Sequence, residues 1–193
     1  MGRRPFKCYR FIKNKPYPKS KYCKKCPVSK IKMFDIGDKR AKKNIYPCCI
    51  NLVNLQPINI SSECLESVRI VMNRNLTKSI KNKKFHLKIK MHPLHILRNN
   101  KMLSRAGADR VQTGMRNSFG KPESICARVK KNKSILSVRC RYKDEDNVIN
   151  ALKQACYKVS GFQIIQISKN WGFTKFKSQQ FIEYIKKGKK LKN

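Results

Sequence analysis

The chain has 193 residues, 47 Lys plus Arg against 10 Asp plus Glu, and a formal net charge of +37, about one uncompensated positive charge per five residues. Self-repulsion on that scale is incompatible with an ordinary free enzyme unless a polyanion neutralises it, and nucleic acid is the commonest polyanion. No apolar run approaches the roughly 18 residues a membrane span needs, and the opening MGRRPFKCYR has no apolar stretch behind it, so neither membrane insertion nor secretion is expected.

Residues 1–30 read as an extended basic arm. Arg3, Arg4, Arg10, Lys13, Lys15, Lys19, Lys21 and Lys24 alternate there with Tyr9, Phe11, Tyr17 and Tyr22. Cations and rings interleaved without helical periodicity suit a segment whose packing partner is RNA, the cations meeting phosphates and the rings stacking on bases or sugars. The plainer alternative is a disordered tail with incidental aromatics. Residues 1–34 contain no acid, as in a mitochondrial transit peptide, but Pro5, Pro16 and Pro18 interrupt any amphipathic helix there.

Residues 31–193 read as one α+β domain. IKMFDI at 31–36 suggests a short strand ended by Gly37. Ser61 and Ser62 are N-cap candidates with Glu63 and Glu66 behind them, and Leu65, Val68, Met72 and Leu76 predict an amphipathic helix over about 62–78. Phe85, Leu87, Ile89 and Met91 alternate with His86, Lys88 and Lys90, which predicts a half-buried strand with a basic outer face. Strands are expected near 125–129 and 135–140, with a hairpin turn about Asn132. Asp144, Glu145 and Asp146 mark a helix N-terminus, with Val148, Ile149, Leu152, Ala155 and Cys156 forming its apolar face. Gly161 closes that helix, QIIQIS at 163–168 reads as a strand, and Ser178, Phe181, Ile182 and Ile185 suggest a last helix ending near Gly188.

The segment from His92 to Pro122 is the most unusual. Its start suits a helix, but from Ser104 onward Gly107, Gly114 and Gly120 argue for irregular chain, giving a functional loop at about 99–121. Arg98, Lys101, Arg105, Arg110, Arg116 and Lys121 charge it, against Asp109 alone. Glycines let backbone N–H groups approach phosphates, and arginines add bidentate contacts, so the loop is equipped for a crowded RNA cleft. It is not a nucleotide-binding P-loop, because five residues separate Gly114 from Gly120 and Pro122 follows Lys121.

Nine cysteines, an odd number, with no signal peptide, favour free thiols over a disulfide framework. Cys23 and Cys26 form one CxxC, with Cys8, Cys48, Cys49, His92 and His95 as conceivable further zinc ligands, but no second CxxC or HxxxH completes a set. Neither a metal nor a cofactor is expected. The sparse acids sit mostly at helix starts, and no G-x-S-x-G or HExxH occurs, so no catalytic residue is assigned. A nucleic-acid-condensing protein is one rival reading and a small RNA-processing enzyme another.

Several long words carry a resemblance: MGRRP at 1–5, KNKPYPKS at 13–20, HPLHILRNNKMLS at 92–104, AGADRVQTGMR at 106–116, FGKP at 119–122 and ISKNWGFTKF at 167–176. In these the chain resembles the universal large-subunit ribosomal protein family called L ten e in archaea and eukaryotes (the QM protein) and L sixteen in bacteria, with an arm similar to the eukaryotic branch. The resemblance implies a structural, non-enzymatic protein of the cytoplasmic ribosome with an α/β hammerhead fold. It implies packing among ribosomal RNA helices near the aminoacyl-tRNA site, with a loop at 104–119 directed toward the peptidyl-transferase centre. The implied partners are ribosomal RNA, tRNA through the loop, neighbouring ribosomal proteins, a dedicated assembly chaperone for the arm and late maturation factors. On that basis the RNA-binding set is Arg3, Arg4, Arg10, Lys13, Lys15, Lys19, Lys21, Lys24, Lys88, Lys90 and Lys101. Arg105, Arg110, Gln112, Thr113, Gly114, Met115 and Arg116 are the loop residues nearest the functional centre. This chain departs from the family pattern at Cys26, at Arg105, at Asn117 and Ser118, and at Phe162 and Ile164, where basic residues are usual.

Overall fold

Two antiparallel sheets organise the computed structural model, which describes residues 4–20, 23, 25–80, 84–100 and 119–187. The strands are β1 (Asp35–Gly37), β2 (Cys48–Asn54), β3 (Ile58–Ser61), β4 (His86–Ile89), β5 (His95–Asn99), β6 (Lys121–Val129), β7 (Lys133–Cys140) and β8 (Gln163–Ile167). The helices are α1 (Ser62–Ile80), α2 (Glu145–Cys156) and α3 (Ser178–Lys186). The larger sheet runs β1-β4-β7-β2-β8 and the smaller β3-β6-β5.

Side chains alternate across a strand, so register decides what each face of the larger sheet carries. Ile50 and Leu87 both lie beside Val138, and Leu52 and Ile89 both lie beside Leu136, which makes one face apolar. Leu65, Val68, Met72 and Leu76 of α1 and Val148, Leu152 and Ala155 of α2 share one buried cluster with it. Ile58, Ile60, Ala127 and Val129 bring the smaller sheet into the same cluster. Helix α1 starts where β3 ends: Ser61 Oγ accepts the Cys64 N–H at 3.1 Å, an N-cap, and Glu63 sits in the first turn at the positive end of the dipole. Helices packed on an antiparallel sheet make this an α+β arrangement.

The other face of the larger sheet is polar and partly sealed. Arg139 Nε donates to His86 Nδ1 at 3.0 Å, and a terminal Arg139 N–H reaches the Ala41 carbonyl at 3.1 Å. Since Nδ1 accepts, the ring proton lies on Nε2, which donates to Asp35 Oδ1 at 3.1 Å. Burial first and the Arg139 charge second hold the His86 pKa below its ordinary value, outweighing Asp35, so this contact is a hydrogen bond of a neutral ring. Tyr46 and Phe173 present their rings to the Arg139 guanidinium. The turn around Gly172 closes the patch. Gly172 has φ +49°, and a Cβ there would stand 2.6 Å from the Tyr46 carbonyl oxygen. Trp171 donates its ring N–H to the Lys43 carbonyl at 2.9 Å and stacks on buried Phe181, centroids 4.8 Å apart.

Several expectations need correction. The strand expected at 31–36 is confined to Asp35–Gly37, and Ile31 enters the core from outside it. Asn132 does occupy a turn, with φ 60°, but β6 and β7 belong to different sheets, so it turns a corner between sheets and not a hairpin. The start of the 92–122 segment is strand and not helix: the pairing of Ile96 with Ile125 and His95 with Cys126 decides its backbone. His86 is not part of an exposed basic face, because Arg139 on the adjacent strand draws it into the buried network. The helix start expected at Asp144–Asp146 is found, α2 beginning at Glu145 although Asp144 makes no side-chain cap bond, and the last helix is found as α3, with Phe181 its buried residue. The expected helix end near Gly188 lies outside the described residues.

Candidate nucleic-acid interface

The basic arm is built onto the smaller sheet. Near its start, residues Phe6–Tyr9 form one 3-10 turn, and Phe11 then bridges to Ile58 on edge strand β3. The Asn59 N–H donates to the Arg10 carbonyl at 2.8 Å, and its side-chain Nδ2 donates to the Tyr9 and Phe11 carbonyls at 2.8 and 3.2 Å. At the opposite edge Pro18 bridges to His95 on β5, and the Ile96 N–H donates to the Tyr17 carbonyl at 2.8 Å. Residues 11–18 therefore travel from one edge of the three-stranded sheet to the other. Cys23, buried with Ile96 and Ile125, anchors the chain beyond this crossing.

A cleft of about 530 Å³ lies between arm and sheet. Five cations line it, Arg4, Lys13 and Lys15 from the arm, Arg98 from β5 and Arg128 from β6, and none of its described lining residues is Asp or Glu. Tyr17 and Phe119 sandwich the Arg98 guanidinium, with ring centroids 4.4 and 4.3 Å from its carbon. This three-layer stack joins the arm, a sheet strand and the far root of the 100–119 connection. Phe119 is 71% exposed even so. His95 accepts the Tyr17 N–H through Nδ1 at 2.9 Å, which requires a neutral ring. Burial first, then Arg128 and Arg98, push its pKa below the ordinary value and keep it neutral.

Of the cations expected to bind RNA, the structure brings Arg4, Lys13 and Lys15 together in this cleft. Arg10 and Lys19 are exposed along the same arm. Lys88 and Lys90 are exposed on the larger sheet, a separate surface beside the polar pair Asn51 and Ser137. Arg3, Lys21, Lys24 and Lys101, and the loop set Arg105, Arg110, Gln112, Thr113, Gly114, Met115 and Arg116, lie outside the described residues. The loop's roots are nevertheless placed, because Asn99 and Lys121 are register partners on adjacent strands.

Arg128 and Asn59 were missing from the residues chosen on sequence, His95 was considered there only as a conceivable zinc ligand or a packing or RNA-contact residue, and Arg98 and Phe119 were not singled out as contacts. Arg128 carries the clearest signal: Ile125, Ala127 and Val129 alternate with Cys126 and Arg128, which puts an arginine opposite an apolar face. The conceivable zinc ligands are not assembled. Cys8 is exposed, Cys48 and Cys49 are buried on β2, His92 packs on Phe34 and His95 is engaged with Tyr17. Among the described residues no group of three His, Cys, Asp or Glu is arranged to hold a metal. Burial pushes the thiols of Cys49 and Cys64 up to about 11 and that of Cys126 up to about 12, so these are protonated packing groups and poor nucleophiles.

What this arrangement can do chemically is hold a polyanion, because it sets concentrated positive charge beside stacking rings. Residues 12–165 match the family model described as ribosomal protein L16p/L10e, a stretch that starts within the arm, covers β1 to β7 and ends inside β8. With four-fifths of its length inside that match, the chain belongs to the L16p/L10e family and is a structural protein of the large ribosomal subunit.

Proposed function

We propose that the protein binds ribosomal RNA near the aminoacyl-tRNA site of the large subunit, with the segment at about 99–121 directed toward the peptidyl-transferase centre. There it supports tRNA positioning and late subunit maturation without performing chemistry. The working location is the cytoplasmic ribosome. Ribosomal RNA, tRNA at the loop, neighbouring ribosomal proteins, an arm-shielding chaperone and late maturation factors are its partners. The observation that carries this reading is the cleft where five cations from three chain segments converge beside the loop's root with no acid among its described lining residues. A cluster of like charges with no carboxylate among it is stable only against a polyanion.

The test is sedimentation of cell extract on a sucrose gradient, probing for the chain before and after a wash at roughly 0.5 M salt, which screens ordinary phosphate binding. Near-stoichiometric retention in large subunits is the expected result, and release into light fractions would refute a built-in role. In the same assay Arg3→Ala with Arg4→Ala weakens incorporation, whereas Arg110→Ala permits incorporation and impairs maturation or translation. Equal incorporation defects would contradict the division of labour between arm and loop.

A further inference from the structure

We propose that the cleft between the arm and the three-stranded sheet seats one unpaired nucleotide of ribosomal RNA, its base stacked on the open face of Phe119 and its phosphate among Lys13, Lys15 and Arg4. The inference rests on the large-subunit reading above and goes beyond it by naming a site and the form of RNA that fills it.

Three observations converge. The first is shape: a concavity of about 530 Å³ falls in the roughly 300–1,000 Å³ range of sites that enclose a nucleotide-sized group. A double helix is convex and offers phosphates and sugars, so it would leave the rings inside unused. The second is the stack itself. Tyr17, Arg98 and Phe119 already alternate ring, planar cation and ring at 4.4 and 4.3 Å, and Phe119 remains 71% exposed. A fourth planar layer on that ring is what an extruded base supplies, and bases splayed from RNA are recognised in this way. The third is charge and polarity: five cations and no described acid line the cleft, and Asn14 and Asn100 add amide donors and acceptors suited to a base edge.

A free nucleotide shares this chemistry. The continuation of exposed cations along the arm at Arg10 and Lys19 favours a polymer whose backbone runs on past the cleft. The cleft is also pre-formed, because Asn59 and His95 fix the arm on either side of it. Little ordering is therefore left for the moment of binding.

The experiment is ultraviolet cross-linking of purified large subunits that contain the chain. Digestion with nuclease and trypsin and mass spectrometry of the peptides then follow, with mapping of reverse-transcription stops on the ribosomal RNA. A single-nucleotide adduct on Phe119, the ring the base would touch, matched by a stop at one ribosomal RNA position, is expected. Relative to the amount of chain in the particle, Arg98→Lys lowers the adduct yield roughly tenfold, because the charge stays and the planar layer is lost. Phe119→Leu, at an exposed position where folding is not at stake, lowers it to a similar extent. Adducts confined to other parts of the chain would overturn the proposal, as would cross-links from Tyr17 and Phe119 to a neighbouring protein. A nucleotide adduct without a reverse-transcription stop would mark a free nucleotide and equally overturn it. Absence of the chain from the large subunits themselves would instead refute the ribosomal reading, so the two failures are distinguishable.

Discussion

On the five-stranded sheet Ile50, Leu52, Leu136 and Val138 are sealed beneath α1 and α2, whereas the arm lies over the three-stranded sheet on a small buried group, Cys23, Ile96 and Ile125. Each fully buried aliphatic side chain contributes about 1.5–3 kcal/mol, so the first region has ample apolar stabilisation of its own. The second relies on backbone bonds at two edges, one cation sandwiched between two rings and one neutral histidine. It also gathers five like charges. The difference teaches how so basic a chain folds at all: the sheets and helices share one apolar core, while the arm, where the cations gather, is held by polar and ring contacts over a small buried group.

Substitutions that separate the halves test this. Leu136→Ala, at the centre of the larger sheet, should cost about 2–5 kcal/mol and lower the urea midpoint of the whole chain by circular dichroism. If it left the midpoint unchanged, the larger sheet would not be the stabilising half. Gly172→Ala should cost about 1–3 kcal/mol, from positive φ and from the 2.6 Å approach to the Tyr46 carbonyl. Because Trp171 is the one tryptophan in the chain, its fluorescence reports the loss directly. Tyr17→Ala should be smaller, about 1 kcal/mol, and confined to the arm. Trypsin should then cut after Lys13 and Lys19 several-fold faster, with the urea midpoint of the larger sheet unmoved. A global loss from Tyr17→Ala would mean that the two regions fold as one unit.

The same contrast governs how much could be read from the letters. Helix α1 was legible because Leu65, Val68, Met72 and Leu76 recur on one face and Ser61 stands before them. Strand β4 was legible because Phe85, Leu87 and Ile89 alternate with charge. Strand β2, CCINLVN, went unread, since a central strand with residues buried on both faces loses its alternation. Strand β5 was misread as helix because its conformation depends on partners in β6, some thirty residues further along the chain. At the site, composition exposed the cations of the arm. It did not reveal Arg98 as the layer between Tyr17 and Phe119, because that stack joins residues far apart in sequence that only the fold brings together.

The finest test of the comparison uses pH, because each half holds one neutral histidine in a different kind of contact. His95 accepts the Tyr17 N–H and faces Arg98 and Arg128, while His86 accepts from Arg139, faces Lys88 and donates to Asp35. Both pKa values lie below the ordinary value of about 6.5, with burial the largest cause in each. As pH falls through that ordinary value, the released or unfolded chain binds protons that the native form does not. Stability is therefore full above about pH 6.5 and declines below it. The two effects should be separable by residue. Amide resonances of Tyr17 and Ile96 should report loosening of the arm at mildly acid pH while the amides of β7 hold. His95→Gln should flatten the arm's response alone, and His86→Gln that of the larger sheet alone. The arm should loosen first, because its contact with His95 is backed by few buried apolar groups, whereas the network around His86 and Arg139 is closed over by Tyr46, Phe173 and the turn at Gly172. Simultaneous loss in both halves would show that the sheets share one cooperative transition, and that the arm is held as firmly as the larger sheet.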